Sequence, residues 1–179
     1  MELSEFWSIL AAARADADGA YGEDGETLAK ALRLRLEGLS AERRAAFGAH
    51  FDRVDAQACR WDLFGAAYLI GGGCDLDGFA DFRAGLIAAG EEWHTRALAD
   101  PDALAGHPIV AEAADWDDDS ALYAELVATA IAETTGVARA ERELTGERWD
   151  FDDDAAMRHR LPRLSALFLG WPKNEGCRC

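Results

Sequence analysis

The sequence predicts an all-α fold, a single domain of about six helices with a central helix over residues 40–70. Three observations predict it. The 179 residues include 37 alanines and 20 leucines, both good helix formers. Valine and isoleucine together number nine, too few for a large sheet. Apolar residues recur at spacings of three and four, and neither a period-two strand nor an internal repeat is legible. A chain of this length forms one domain with a real core. That domain is expected over residues 1–171, with a flexible tail over 172–179.

The elements follow in order. Ser4 is placed to cap a first helix to about Ala17, with Phe6, Ile9, Leu10 and Ala13 at helical spacing. A polar, glycine-rich break separates it from a second helix, about Glu26 to Leu36, striped by Leu28, Leu32 and Leu36. Ser40 caps the third. Phe47, Phe51, Val54, Ala58, Trp61, Gly65 and Tyr68 then step by four and three, which predicts one long helix ending at Gly71, Gly72 and Gly73. A fourth helix starts near Asp75, is striped by Phe79, Phe82, Leu86 and Ile87, and continues past Gly90 through "EEWHTRAL". Pro101, Gly106 and Pro108 mark a loop with a short turn. Asp115 to Asp119 is expected to open a fifth long helix reaching Val137 and Leu144. Asp152 to Asp154 open a last one, which Pro162 either kinks or restarts.

Thirty-four acidic residues stand against eighteen basic ones, a formal net charge of −16. Such a chain repels nucleic acid and anionic membranes, since both require a positive patch, and it suits a basic protein partner. No apolar run approaches the length of a membrane helix. Glu2 and Glu5 stand where a signal peptide would carry lysine or arginine, so a cytoplasmic location is expected. Cys59, Cys74, Cys177 and Cys179 are then thiols or ligands rather than structural disulfides.

Little complete chemistry is legible. A phosphate loop places its glycines between strand and helix and adds a lysine; here a helix precedes "GGGCDLD" and no lysine follows. The glycines therefore predict a corner, with Asp75 capping the next helix and Asp77 complementing its dipole. Calcium-loop registers opened at Asp75, Asp115 and Asp150 all lack the glycine at the sixth position and the glutamate at the twelfth. His50, His94, His107 and His159 form no HxxxH or HExxH, and no GxSxG is present. Glu91 and His94 make one ExxH where a di-iron bundle needs two. Six tryptophans, at 7, 61, 93, 116, 149 and 171, are many for this length, and any exposed one would mark a binding face.

The stretches "FWSIL", "WDLFGAAYLIGGGCDLDGFADFRAGLI" and "ALADPDAL" carry a resemblance. Over residues 5–145 the chain resembles a bacterial domain-of-unknown-function family, common in actinobacteria. Its motifs are FWxLI, W-x-L-W/F-G-A-A-Y-L/I, G-C-S-D-D-x-F-x-x-F-R-x-W-L-I and D-P-D/E-x-L. The resemblance implies no activity. Leu76 stands where that pattern has an acid, and Gly85 where it has tryptophan, which argues against a catalytic acidic dyad. Phe79, Phe82 and Arg83 match, and Arg83 is expected to pair with a carboxylate such as Asp62 or Asp77.

Two functions compete. The first is a regulatory or protein-binding module, immunity-like or inhibitor-like toward a basic partner. The second is an enzyme or small-molecule binder with a site near Cys74, Asp75, Asp77, Arg83 and His94. A deep pocket where those side chains converge would favour the second; a filled corner would favour the first. No resident cofactor is expected. The tail "GWPKNEGCRC" ends in Cys177 and Cys179 around Arg178, whose charge favours thiolate, so it can bind Zn²⁺ or Cu⁺ weakly.

Overall fold

Local sequence and long-range packing divide the work of shaping this chain. The computed structural model describes residues 1–17, 25–116, 120–138, 140 and 142–169. Among them the helices are α1 (Leu3–Asp16), α2 (Glu26–Glu37), α3 (Ala41–Ala58), α4 (Trp61–Ile70), α5 (Leu76–Ala89) and α6 (Glu91–Ala99). A 3₁₀ helix (Pro101–Gly106), α7 (Pro108–Trp116), α8 (Glu125–Thr135), α9 (Asp154–Arg160) and α10 (Pro162–Phe168) follow. The described residues hold no β-strand, only one parallel bridge between Arg60 and Thr145. No helix among them is long and apolar enough to cross a membrane.

The all-α expectation holds, but there are eleven helical segments among the described residues rather than about six. The reasons are physical. The long helix predicted over 40–70 breaks at Cys59 and Arg60, where Arg60 is extended (φ −136°, ψ 146°). There Thr145 donates to the Cys59 carbonyl (3.1 Å) and accepts from the Trp61 amide (3.0 Å), taking backbone groups that a continuous helix would use internally. Arg60 stays at the break, paired with Asp62 and bonded to the Leu98 carbonyl (2.8 Å). Gly90, at φ 102°, divides the fourth predicted helix into α5 and α6. Arg14 closes the end of α5 by donating to the carbonyls of Ala88 and Ala89.

Three further expectations change. Ser4 is not the cap of α1, which starts a residue earlier after Glu2. Asp115 does not open a helix: it lies in the last turn of α7, and residues 117–119 lie outside the described ones. α8 stops at the left-handed Gly136 (φ 69°), so Val137 and Leu144 belong to an irregular segment rather than a helix face. Of the two outcomes expected of Pro162, the structure shows the restart: it begins α10.

Ser40 does cap α3, accepting from the Arg43 amide at 3.3 Å. Asp153 caps α9 by accepting from Ala155 and Ala156. The triple glycine is the expected corner. Gly72 and Gly73 take positive φ, and the Gly73 amide closes on the Tyr68 carbonyl at 2.9 Å.

The central element is α5. Its residues Phe79, Phe82 and Leu86 enter a core built with α4, α7, α9 and α10. Ala84, Ile87 and Ala88 enter a second core with α1, α2, α3 and α8. From Phe82 to Ala89 every residue is buried, as expected of a helix that is apolar all round. The one charge in that run, Arg83, therefore needs a partner.

Candidate functional site

The partner is Asp55, one turn before the end of α3. Arg83 Nε and Nη2 donate to the two Asp55 oxygens at 3.0 and 3.1 Å, a fork-to-fork pair with both side chains buried. The Arg83 guanidinium also lies 4.8 Å from the centre of the Phe79 ring. Arg83 does not pair with Asp62 or Asp77; Asp62 belongs to Arg60.

A second arginine approaches from the irregular segment after α8. Arg142 Nη2 donates to Asp52 Oδ1 (2.5 Å) and to the Asp52 carbonyl (3.2 Å). Its Nε comes only within 4.0 Å of Asp55 and is shut off from solvent without a hydrogen-bond partner. Between the two arginines sits Cys59, its sulfur 3.8 and 4.0 Å from the carbonyls of Glu143 and Arg142. Burial pushes the Cys59 thiol up, against the pull of the Arg83 and Arg142 charges.

Of these groups, Cys59, Arg83 and Arg142 line an open cleft of about 670 Å³. One wall is the start of α5, with Leu76, Asp77, Ala80 and Asp81. Glu125 at the first residue of α8 closes one side, and Ala140, Arg142 and Leu144 form the opposite wall. Leu76, where the family-like pattern has an acid, is 63% exposed at the rim.

Of the five residues expected to share a site, Asp77 and Arg83 line this cleft. The other three do not join them. Asp75 is the α5 cap, accepting from the Gly78 amide at 2.8 Å. Cys74 donates to the Asp75 carbonyl (3.2 Å); burial raises its thiol and a hydrogen bond with Tyr123 opposes that. Tyr123 fills the corner, its hydroxyl donating to the Ala67 carbonyl at 3.0 Å. His94 is 2% exposed, behind Asp55 and 5.5 Å from the Trp7 ring. Burial pushes its pKa down, opposed by a backbone hydrogen bond with Val54 and the Asp55 charge, while Nε2 finds no partner.

The other histidines serve separate local roles. His50 Nε2 meets the Met1 carbonyl at 2.9 Å. His107 Nδ1 accepts from the Ile109 amide at 3.2 Å, and burial, helped by the Arg14 charge, pushes its pKa to about 4. No group of three or more His, Cys, Asp or Glu side chains able to hold a metal occurs among the described residues. Cys177 and Cys179 lie outside those residues.

Asp52, Asp55, Glu125 and Arg142 were not singled out by sequence, and Cys59 only as a thiol or ligand. For one of them a signal existed. Asp55 interrupts the stripe of Phe51, Val54 and Ala58, and Arg83 interrupts "DFRAGLI". Two lone opposite charges in two apolar stripes demand each other.

The fold and cleft define an all-helical domain with a carboxylate-bearing groove and no metal-holding cluster of side chains among its described residues. The chain belongs to a family described as a protein of unknown function, DUF4240, whose model matches residues 1–134. No curated protein matches it, and no solved structure does. The matched range supplies α1 to α7 and most of α8, but not the cleft wall formed by Ala140, Arg142 and Leu144.

Proposed function

We propose that this domain is a protein-binding module that receives a basic segment of a partner in the cleft between α5, α8 and the wall of Ala140, Arg142 and Leu144. One observation carries the reading. The cleft presents Asp77 and Glu125, while the two arginines that line it are already engaged by Asp55 and Asp52. The surface left for a ligand is therefore acidic, with Leu76, Ala80 and Leu144 as an apolar bed for a long side chain. The net charge of −16 speeds encounter with a basic partner and disfavours nucleic acid. An inhibitor-like or immunity-like role in the cytoplasm suits that charge.

The enzyme alternative has less support. Only Asp77 and Arg83 of its five residues share the cleft, and Arg83 is neutralised by Asp55. Both described cysteines are held as thiols by burial, the unreactive form.

The test is a titration with a blocked lysine- and arginine-rich peptide against an acidic peptide of equal length. The basic peptide should bind, and high salt should weaken it. Asp77→Asn with Glu125→Gln should lower its affinity by about 5-fold or more, mostly through slower association. Equal binding of both peptides, or indifference to the double change, would sink the reading.

A further inference from the structure

The back of the cleft already holds a basic group, and holds it imperfectly. Arg142 reaches the Asp52 carboxylate through Nη2 alone, and its Nε is enclosed without an acceptor. A guanidinium free to orient itself makes two parallel bonds to a carboxylate, as Arg83 does with Asp55. The backbone explains why Arg142 does not. The Arg142 and Glu143 carbonyls lie against the Cys59 sulfur, and Thr145 is bridged to Cys59 and Trp61. Pinned three residues away, the side chain enters at a fixed angle.

The Arg142–Asp52 pair is also partly open to water, with side-chain exposures of 25% and 36%. Exposed pairs of this kind are weak. Asp52 and Asp55 also border a small cavity of about 20 Å³ with Phe51 and Val137. Arg142 itself faces the cleft. If its head group swings out, the Asp52 carboxylate faces the ligand space with the Asp55 charge behind it.

We propose that Asp52, backed by Asp55, is a guanidinium site at the rear of the cleft, held in the free protein by the chain's own Arg142 and taken over by an arginine of the basic partner. This rests on the cleft being the binding face. It assigns the partner's chemistry more narrowly, arginine over lysine, because only a planar fork gains a second bond at Asp52. It also makes Arg142 an internal competitor whose removal strengthens binding.

The experiment compares a blocked Gly-Arg-Gly-Arg-Gly peptide with its lysine counterpart, by calorimetric titration, on the wild-type chain, Arg142→Gln and Asp52→Asn. Arg142→Gln should bind the arginine peptide roughly 3- to 10-fold more tightly than wild type, the gain from removing a weak competitor. Asp52→Asn should abolish the preference for arginine. Should Arg142→Gln fail to fold by far-UV circular dichroism, Arg142→Lys retains the charge without the fork and should show a smaller gain. Wild-type binding that depends on Asp77 and Glu125 with no gain in either Arg142 variant overturns the competitor site and leaves the cleft standing. Lysine bound as well as arginine overturns it too. Binding of neither peptide by any of the chains overturns both proposals.

Discussion

The helices α3 and α4 follow one another in the chain and end for opposite reasons. α4 stops at three glycines that supply their own geometry: positive φ at Gly72 and Gly73, and an amide returned to Tyr68. α3 stops at Ala58 with no glycine or proline nearby, because Thr145 donates to the Cys59 carbonyl and accepts from the Trp61 amide. Its apolar spacing runs through the break undisturbed. The corner is written where it occurs, whereas the break is written far along the chain. The cleft grows from the second kind of instruction, since the segment that stops α3 also supplies Arg142 and Leu144 as its wall.

The largest effect expected comes from the non-local side. Asp55→Ala leaves Arg83 buried without its carboxylate and should destabilise the domain by about 3–5 kcal/mol in chemical denaturation. Pairing it with Arg83→Met should recover most of that loss, since the site then holds no unpaired charge. A single variant that loses under about 1 kcal/mol would show that water reaches Arg83 and that the pair is not what joins α3 to α5.

Acid should act on the same interior. His107 titrates at about 4 in the folded chain because burial, then the Arg14 charge, disfavours its cation. Its ordinary value is near 6.5, so between those limits the unfolded chain binds more protons. The stability is complete above about pH 6.5 and is lost as pH falls toward 4, by up to about 3 kcal/mol from this residue. His94 shifts the same way, also through burial, and adds to the slope. Denaturation midpoints measured across that window should fall with acid. His107→Gln should flatten the curve, and an unchanged slope in that variant would assign the pH dependence elsewhere.

Thr145→Pro removes both donors to the Cys59 carbonyl, the amide and the hydroxyl of Thr145. A loss of about 1–2 kcal/mol is expected, with faster hydrogen exchange at the Trp61 amide as the bridge loosens. Unchanged exchange there would mean that α3 ends for some reason other than Thr145.

Legibility in the sequence follows the same division. The class of fold, the caps at Ser40 and Asp75, and the corner depend on residues within a turn of one another, and all were readable. The helix count was not. The breaks at Cys59 and ahead of "EEWHTRAL" look continuous in apolar spacing, although Gly90 marked the second. The pairing of Asp55 with Arg83 could have been suspected from two stranded charges. Nothing in the chain before folding joins Arg142 to Asp52, because their meeting depends on how the irregular segment after Gly136 lies across α3. Local physics placed Asp77 and Arg83 in the candidate region; long-range packing decided that His94 and Cys74 face elsewhere.

The smallest effect tests the local side directly. Asp75 accepts one amide, from Gly78, at the start of α5, and Asp77 in the same turn also complements the helix dipole. Asp75→Ala should therefore cost about 1 kcal/mol, seen as a shift in the urea midpoint at unchanged slope. Asp75→Asn keeps the capping oxygen and loses only the charge, so it should lie within a few tenths of wild type. Because Asp75 caps the helix and does not line the cleft, both variants should bind a basic peptide as wild type does once corrected for the folded fraction. A folded Asp75→Ala chain that binds several-fold more weakly would extend the acidic face around the corner. A loss of 3 kcal/mol or more would mean that the glycines do not set the turn by themselves, and the contrast between the two helix ends would narrow accordingly.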